Sequence, residues 1–174
     1  MINIVILFVF LLTAVYSDWR FGKIYNWQIL LGAAAGICFQ YFEFGPPGIL
    51  SGILSSAIPM LFLFPLFCIG TFGGGDVKLL AAAAIFLTPS QTILFLGAAF
   101  LTGAIEAIIK MIKERNFLER FRYLMSYIHD VFTTNQWKLY EETKKQSAAE
   151  MNRHKIHFAF PVLISALLHI GGLY

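Results

Sequence analysis

Residues 73–91 read GGGDVKLLAAAAIFLTPSQ: three glycines, one acid, a run of apolar positions, then a Thr-Pro-Ser-Gln turn. As a helix, the stretch from Asp76 to that turn rises only about 18 Å, against a hydrocarbon core of about 30 Å. Either Asp76 lies below a membrane surface or the turn dips inward. The glycines favour the first choice, because they permit unusual backbone conformations and close approach of another chain. Irregular backbone at membrane depth must then line protein or a wet cavity.

Outward from this stretch, the chain shows six apolar runs, at 2–17, 27–42, 49–71, 77–88, 91–112 and 156–173, separated by breaks such as EFGPPG and TPSQ. The 174 residues are 58% hydrophobic and only 13% charged. A protein folded in water needs a polar shell, whereas a bundle in lipid is apolar inside and out. The expectation is an all-α polytopic membrane protein of six transmembrane helices. Residues 1–112 form the first five, 113–155 a cytosolic amphipathic insertion, and 156–174 the sixth, within one membrane domain. No Lys or Arg precedes the first run and no small-x-small cleavage site follows it before Asp18, so it reads as a span rather than a cleaved leader. Cys38 and Cys68 fall at different depths, which argues against a disulfide, and both are read as buried thiols acting as small hydrophobes. With no Cys-x-x-Cys pair, and with His154 and His157 lacking companions, no metal site is expected.

If the spans alternate in direction, every Lys and Arg falls on the side shared by the loops after the first, third and fifth spans: Arg20 and Lys23, then Lys78, then ten from Lys110 to Lys155. Retention of positive charge on the cytoplasmic face puts both termini outside and 113–155 in the cytosol of an inner-membrane protein. The net charge of +3 therefore belongs to lipid-facing juxtamembrane residues, not to a nucleic-acid surface. Within 113–155, Phe117, Phe121, Leu124, Ile128 and Phe132 recur at helical spacing against Arg120, Arg122 and Asp130, predicting an amphipathic helix on the membrane. A second polar helix is predicted over 136–150.

A carboxylate inside a bilayer costs several kcal/mol unless paired or solvated, so acids at span edges are functional candidates. These are Asp18, Asp76 and Glu106. Glu106 precedes Lys110 by one helical turn, a spacing suited to an ion pair. Asp18 ends the first span and Asp76 opens the fourth, with two crossings between them, so both return to the same side and can meet. Two adjacent carboxylates do not both ionise cheaply. One keeps a proton while the other draws a proton from water, creating a nucleophile for an amide carbonyl. The same pair would also suit a small proton- or cation-coupled transporter, and the residues alone leave both readings open.

Two segments add a resemblance: Gly73-Gly74-Gly75-Asp76-Val77-Lys78-Leu79, and Asp18-Trp19-Arg20-Phe21-Gly22-Lys23-Ile24-Tyr25-Asn26. Both resemble motifs of the GxGD-type prepilin peptidases, with Tyr25 where the family has Pro. Ile156-His157-Phe158-Ala159-Phe160-Pro161 is similar to a third family segment, with displaced prolines. The resemblance implies that Asp18 and Asp76 are the catalytic pair of an aspartyl endopeptidase, that Gly73, Gly74 and Gly75 form the loop presenting Asp76, and that Asn26 and Lys78 match motif positions. It further implies a substrate, a pilin-like precursor whose basic leader is cut after Gly on the cytoplasmic side. Larger relatives carry a cysteine-bearing insertion and methylate the new N-terminus. The loop here, 18–26, is short and lacks cysteine, so peptidase activity alone is expected, with no cofactor and no S-adenosylmethionine. The double variant Cys38→Ala/Cys68→Ala is accordingly expected to process a precursor at the wild-type rate, measured by gel shift of the shortened product.

Overall fold

The computed structural model describes residues 2–68, 72–113 and 157–172. The chain divides into two compact units, 1–103 with 157–174, and 104–156. The two predicted amphipathic helices of 113–155 lie outside the described residues. All regular structure among the described residues is helical: α1 (Ile2–Phe21), α2 (Asn26–Phe44), α3 (Pro46–Cys68), α4 (Gly74–Ala84), α5 (Pro89–Lys113) and α6 (Ala159–Ile170). Each coincides with one of the six apolar runs. Three are long and apolar enough to cross a membrane: Asn3–Phe21, Pro46–Cys68 and Pro89–Lys113. The others fall short for different reasons. α2 carries Asn26, Gln28, Gln40 and Glu43, while α4 and α6, with 11 and 12 residues, rise only about 17 and 18 Å. The protein is a helical membrane protein on this evidence of length and apolarity.

α4 lies at the centre of the first unit. Leu79 through Leu87 are all buried, and α1, α2, α3 and α6 pack around it. Its termination is the structural problem, since a helix end leaves carbonyls without intrahelical partners. The Phe86 and Leu87 N–H groups donate to Ala83 and Ala84 O at 3.2 and 3.0 Å, a tightened last turn. The next three carbonyls are each met by a side chain from a different helix. Gln40 Nε2 of α2 donates to Ile85 O (2.8 Å), Asn3 Nδ2 of α1 to Phe86 O (3.1 Å), and Ser55 Oγ of α3 to Leu87 O (2.7 Å). Thr92 then supplies both its N–H and its hydroxyl to Thr88 O.

Close packing of this end depends on small residues. The buried face of α2 is Gln28, Gly32, Gly36 and Gln40, one residue every four. A Cβ on Gly36 would lie 2.9 Å from Ile85 Cγ2, and one on Gly48 would collide with the Gln40 backbone carbonyl. Large apolar side chains such as Leu30, Leu31, Phe42, Leu61 and Phe62 point outward. Without a hydrophobic drive between helices in lipid, tight backbone approach and hydrogen bonds hold a bundle together, and small residues permit both. Cys38 and Cys68, expected inside, are both exposed. The tendency of thiols to be buried belongs to proteins in water. On a surface that faces hydrocarbon, a small apolar group gains little by moving inward.

These contacts set helix directions. Asn3 at the start of α1 meets the end of α4, and the start of α2 meets the start of α4 through Lys78 and Asn26. α3 runs antiparallel to α4, with Ser55 at its far end and Phe67 against Gly74. α6 packs antiparallel to α5 through Ser165 Oγ to Phe95 O (2.7 Å) and Thr102 Oγ1 to Pro161 O (3.2 Å). α3 continues through both Pro59 and Pro65. Gln40→Leu is expected to lower the thermal midpoint of the detergent-solubilised protein by an amount matching about 1–3 kcal/mol, the cost of a buried carbonyl left unpaired. Gly97→Ala, whose Cβ would meet nothing within 4 Å, should leave the midpoint unchanged or raise it.

Candidate functional site

Asp18 sits in the last turn of α1. Gly22, at φ 64°, stops that helix and donates its N–H to Asp18 O (2.8 Å). This is the left-handed backbone that favours glycine after a helix end. The chain then turns within four residues into α2. Ser17 Oγ donates to Lys23 O (3.1 Å), Lys23 Nζ lies 5.0 Å over the Tyr25 ring, and Phe21 packs edge-on against the same ring. Tyr25 replaces the family's proline without loss of its geometry: φ is −79°, near the proline value, and its N–H, which proline would lack, donates to Gln28 Oε1 (3.2 Å). Gln28 Nε2 reaches back to Thr13 O (3.4 Å), tying the start of α2 to α1.

Asp76 occupies the first turn of α4. Its N–H donates to Gly73 O (3.1 Å), and its Oδ2 would lie 2.9 Å from a Cβ placed on Gly73. The glycine run is not in the unusual backbone expected of it. Gly73 has φ −72° and ψ 138°, Gly74 and Gly75 are helical, and the positive-φ glycines among the described residues are Gly22, Gly45 and Gly172. What the run supplies is space. Gly73 makes room for the Asp76 carboxylate, Gly74 for the Phe67 ring at 3.2 Å, and Gly75 for Ile24 at 3.9 Å.

The α1–α2 turn therefore rests on the start of α4. Gly75 faces Ile24, and Lys78 Nζ donates to Asn26 Oδ1 (3.2 Å). Asp18 and Asp76 belong to the same end of the bundle, opposite the Asn3–Gln40–Ser55 end. Asn26 and Lys78, matched by motif alone in the sequence, are direct partners bridging the two segments. Asp18 is buried at 4% exposure, whereas Asp76 is half-buried. Glu106 lies in the other compact unit.

One participant was not anticipated. His157, just before α6, brings Nδ1 within 3.4 Å of Asp18 Oδ2. The sequence offered a signal: His157 opens the last apolar run, at the end expected to share a side with Asp18. His154, weighed with it as a metal ligand, lies outside the described residues. A cavity of about 450 Å³ adjoins the site on the α1–α2 face, lined by Thr13, Tyr16, Ser17, Tyr25, Trp27 and Gln28 among others. Asp18, Asp76, His157 and this cavity thus share one end of the helical bundle.

The family model described as the type IV leader peptidase family matches residues 5–108. Searches of curated proteins and of solved structures each gave no match.

Proposed function

Because this chain belongs to the type IV leader peptidase family, we propose that it is an aspartyl endopeptidase that removes the basic leader of a pilin-like precursor, with Asp18 and Asp76 as the catalytic pair. That the protein is a membrane protease of the leader-peptidase kind follows from the family and from its apolar helices. The aspartic chemistry is this reading's own step, and it favours a peptidase over the ion-coupled transporter that the same two acids would suit. The observation that carries it is the seating of the α1–α2 turn on the start of α4 through Ile24–Gly75 and Asn26–Lys78, which supports convergence of two acids from distant parts of the chain.

In this mechanism one carboxylate takes a proton from water as the oxygen attacks the scissile amide carbon. The other, protonated carboxyl donates to the carbonyl oxygen, giving a neutral tetrahedral diol. Collapse of the diol breaks the C–N bond, with the first carboxyl giving its proton to the leaving amine and the second carboxylate recovering a proton from a diol hydroxyl. Water is consumed, a new carboxyl and a new amine appear, and the dyad ends as it began.

The topology read from the charges completes the proposal: six spans in the cytoplasmic membrane, termini outside, 113–155 in the cytosol, and the cut on the cytoplasmic side. With a short α1–α2 turn and no cysteine in it, the enzyme leaves the new N-terminus unmethylated and uses no S-adenosylmethionine.

Asp18→Asn and Asp76→Asn, each alone, are expected to abolish processing of a co-expressed precursor bearing a basic leader that ends in Gly, with membrane insertion intact. Retained processing in either variant would remove the dyad. The glycine run yields a finer test. Gly73→Ala should cut kcat at least about tenfold with an unchanged thermal midpoint, because the Asp76 carboxylate, and not the fold, must give way. Gly75→Ala, meeting only Ile24 at ordinary contact, should retain more activity than Gly73→Ala. The reverse order would contradict the spatial role assigned to Gly73.

A further inference from the structure

We propose that His157 is the positioning residue of Asp18, holding one carboxylate oxygen so that the other faces the reacting water; the proposal rests on the reading of Asp18 as catalytic. The contact itself is Nδ1 to Oδ2 at 3.4 Å. Both atoms are buried, and among the described residues neither makes a hydrogen bond, the 3.4 Å contact between them included. A buried carboxylate oxygen without a donor costs free energy, and His157 is the donor the fold brings to it. The separation is longer than a mature N–H···O bond of 2.7–3.2 Å, as catalytic contacts often are before substrate is bound.

The imidazole is delivered from an anchored backbone. His157 O accepts the Phe160 N–H (3.1 Å), and Ala159 and Pro161 are buried in the first turn of α6. The Phe158 ring packs 5.0 Å from Phe72 and 5.9 Å from Phe100, and it fills the space over Gly103, where a Cβ would come within 3.1 Å of it. Phe72 immediately precedes the glycine run. One aromatic cluster therefore braces both the histidine that meets Asp18 and the segment that leads to Asp76. The outer part of the His157 side chain stays open, at 38% exposure, while Nδ1 is turned inward. An imidazole recruited only for packing would have no need of that orientation.

The role differs from that of the dyad. His157 acts through Asp18 and touches neither the water nor the amide. Losing it lets the carboxylate rotate about its last torsion and lowers the fraction of time in the reactive orientation. The effect falls on turnover, not on precursor binding.

The test uses full-length protein in detergent, or reconstituted in liposomes, with a precursor carrying a basic Gly-terminated leader and an apolar helix. His157→Ala is expected to lower kcat about 10- to 100-fold with KM within about twofold. His157→Asn, whose amide nitrogen can take the place of Nδ1, should recover most of that loss. A wild-type kcat in His157→Ala, with Asp18→Asn inactive, overturns the proposal while leaving the dyad standing. Equal losses in the Ala and Asn variants also overturn it, since a purely steric role predicts that pattern. A double-mutant cycle of Asp18→Ala and His157→Ala on the thermal midpoint reads the contact without any catalysis. Non-additive shifts are expected, and strict additivity counts against the contact. If Asp18→Asn still cleaves, the dyad reading fails, and the cycle alone then reports whether the two side chains interact.

Discussion

An 11-residue helix cannot reach across hydrocarbon, so α4 ends inside the bundle, and the carbonyls of Ile85, Phe86 and Leu87 must find donors where lipid offers none. Each unpaired group would cost about 1–3 kcal/mol, a large share of the few kcal/mol by which a fold is stable. The solution draws one side chain from each of three helices: Asn3, Gln40 and Ser55. Because three successive carbonyls are claimed by three different neighbours, α1, α2 and α3 cannot slide along α4 independently. The polar cap thereby fixes the register of the bundle.

That register reaches the opposite end. With Asn3 pinned to Phe86, α1 runs antiparallel to α4 and delivers its last turn, with Asp18, to the end where α4 begins. With Gln40 pinned to Ile85, α2 runs parallel to α4 and brings Asn26 to Lys78. Gly22 reverses the chain immediately after Asp18, so the turn stays short enough for Ile24 to cover Gly75. The half-buried Asp76 and the buried Asp18 thus lie at one end of a bundle whose register is set by hydrogen bonds at the other. α6 adds the third element, carrying His157 to Asp18 on a backbone braced by Phe72, Phe100 and Phe158.

The sequence made some of this legible and hid the rest, for physical reasons. Apolar runs between turn-forming residues marked the six helices of the described residues, because a chain in lipid must satisfy its backbone locally. The shortness of the fourth run and the acid at its head were visible as well. The donors that complete α4 were not. Asn3, Gln40 and Ser55 are single polar residues in apolar runs, and nothing local says that their partners are carbonyls of another helix. A short central helix does give a rule that would have found them: look in its longer neighbours for amides and hydroxyls at the depth where it stops. His157 was weighed only as a metal ligand and a motif match, because its partner, Asp18, is reached through a tertiary contact.

The cysteines were misread through an expectation formed on proteins in water, and of the two properties credited to the glycines the structure uses close approach. Gly73 was credited with backbone freedom it does not use. Its φ of −72° suits any residue, and only the Asp76 carboxylate beside it excludes a Cβ. The buried face of α2, Gln28-Gly32-Gly36-Gln40, would look like a solvent face by hydropathy alone, yet it packs inward while Leu30, Leu31 and Phe42 face out. Once hydrocarbon replaces water, burial no longer sorts residues by hydrophobicity but by whether they permit close approach or need a partner. Acids follow the same logic. A carboxylate at the edge of such a bundle is tolerated only where the fold gives it room, a donor or water, and Gly73 gives the Asp76 carboxylate that room.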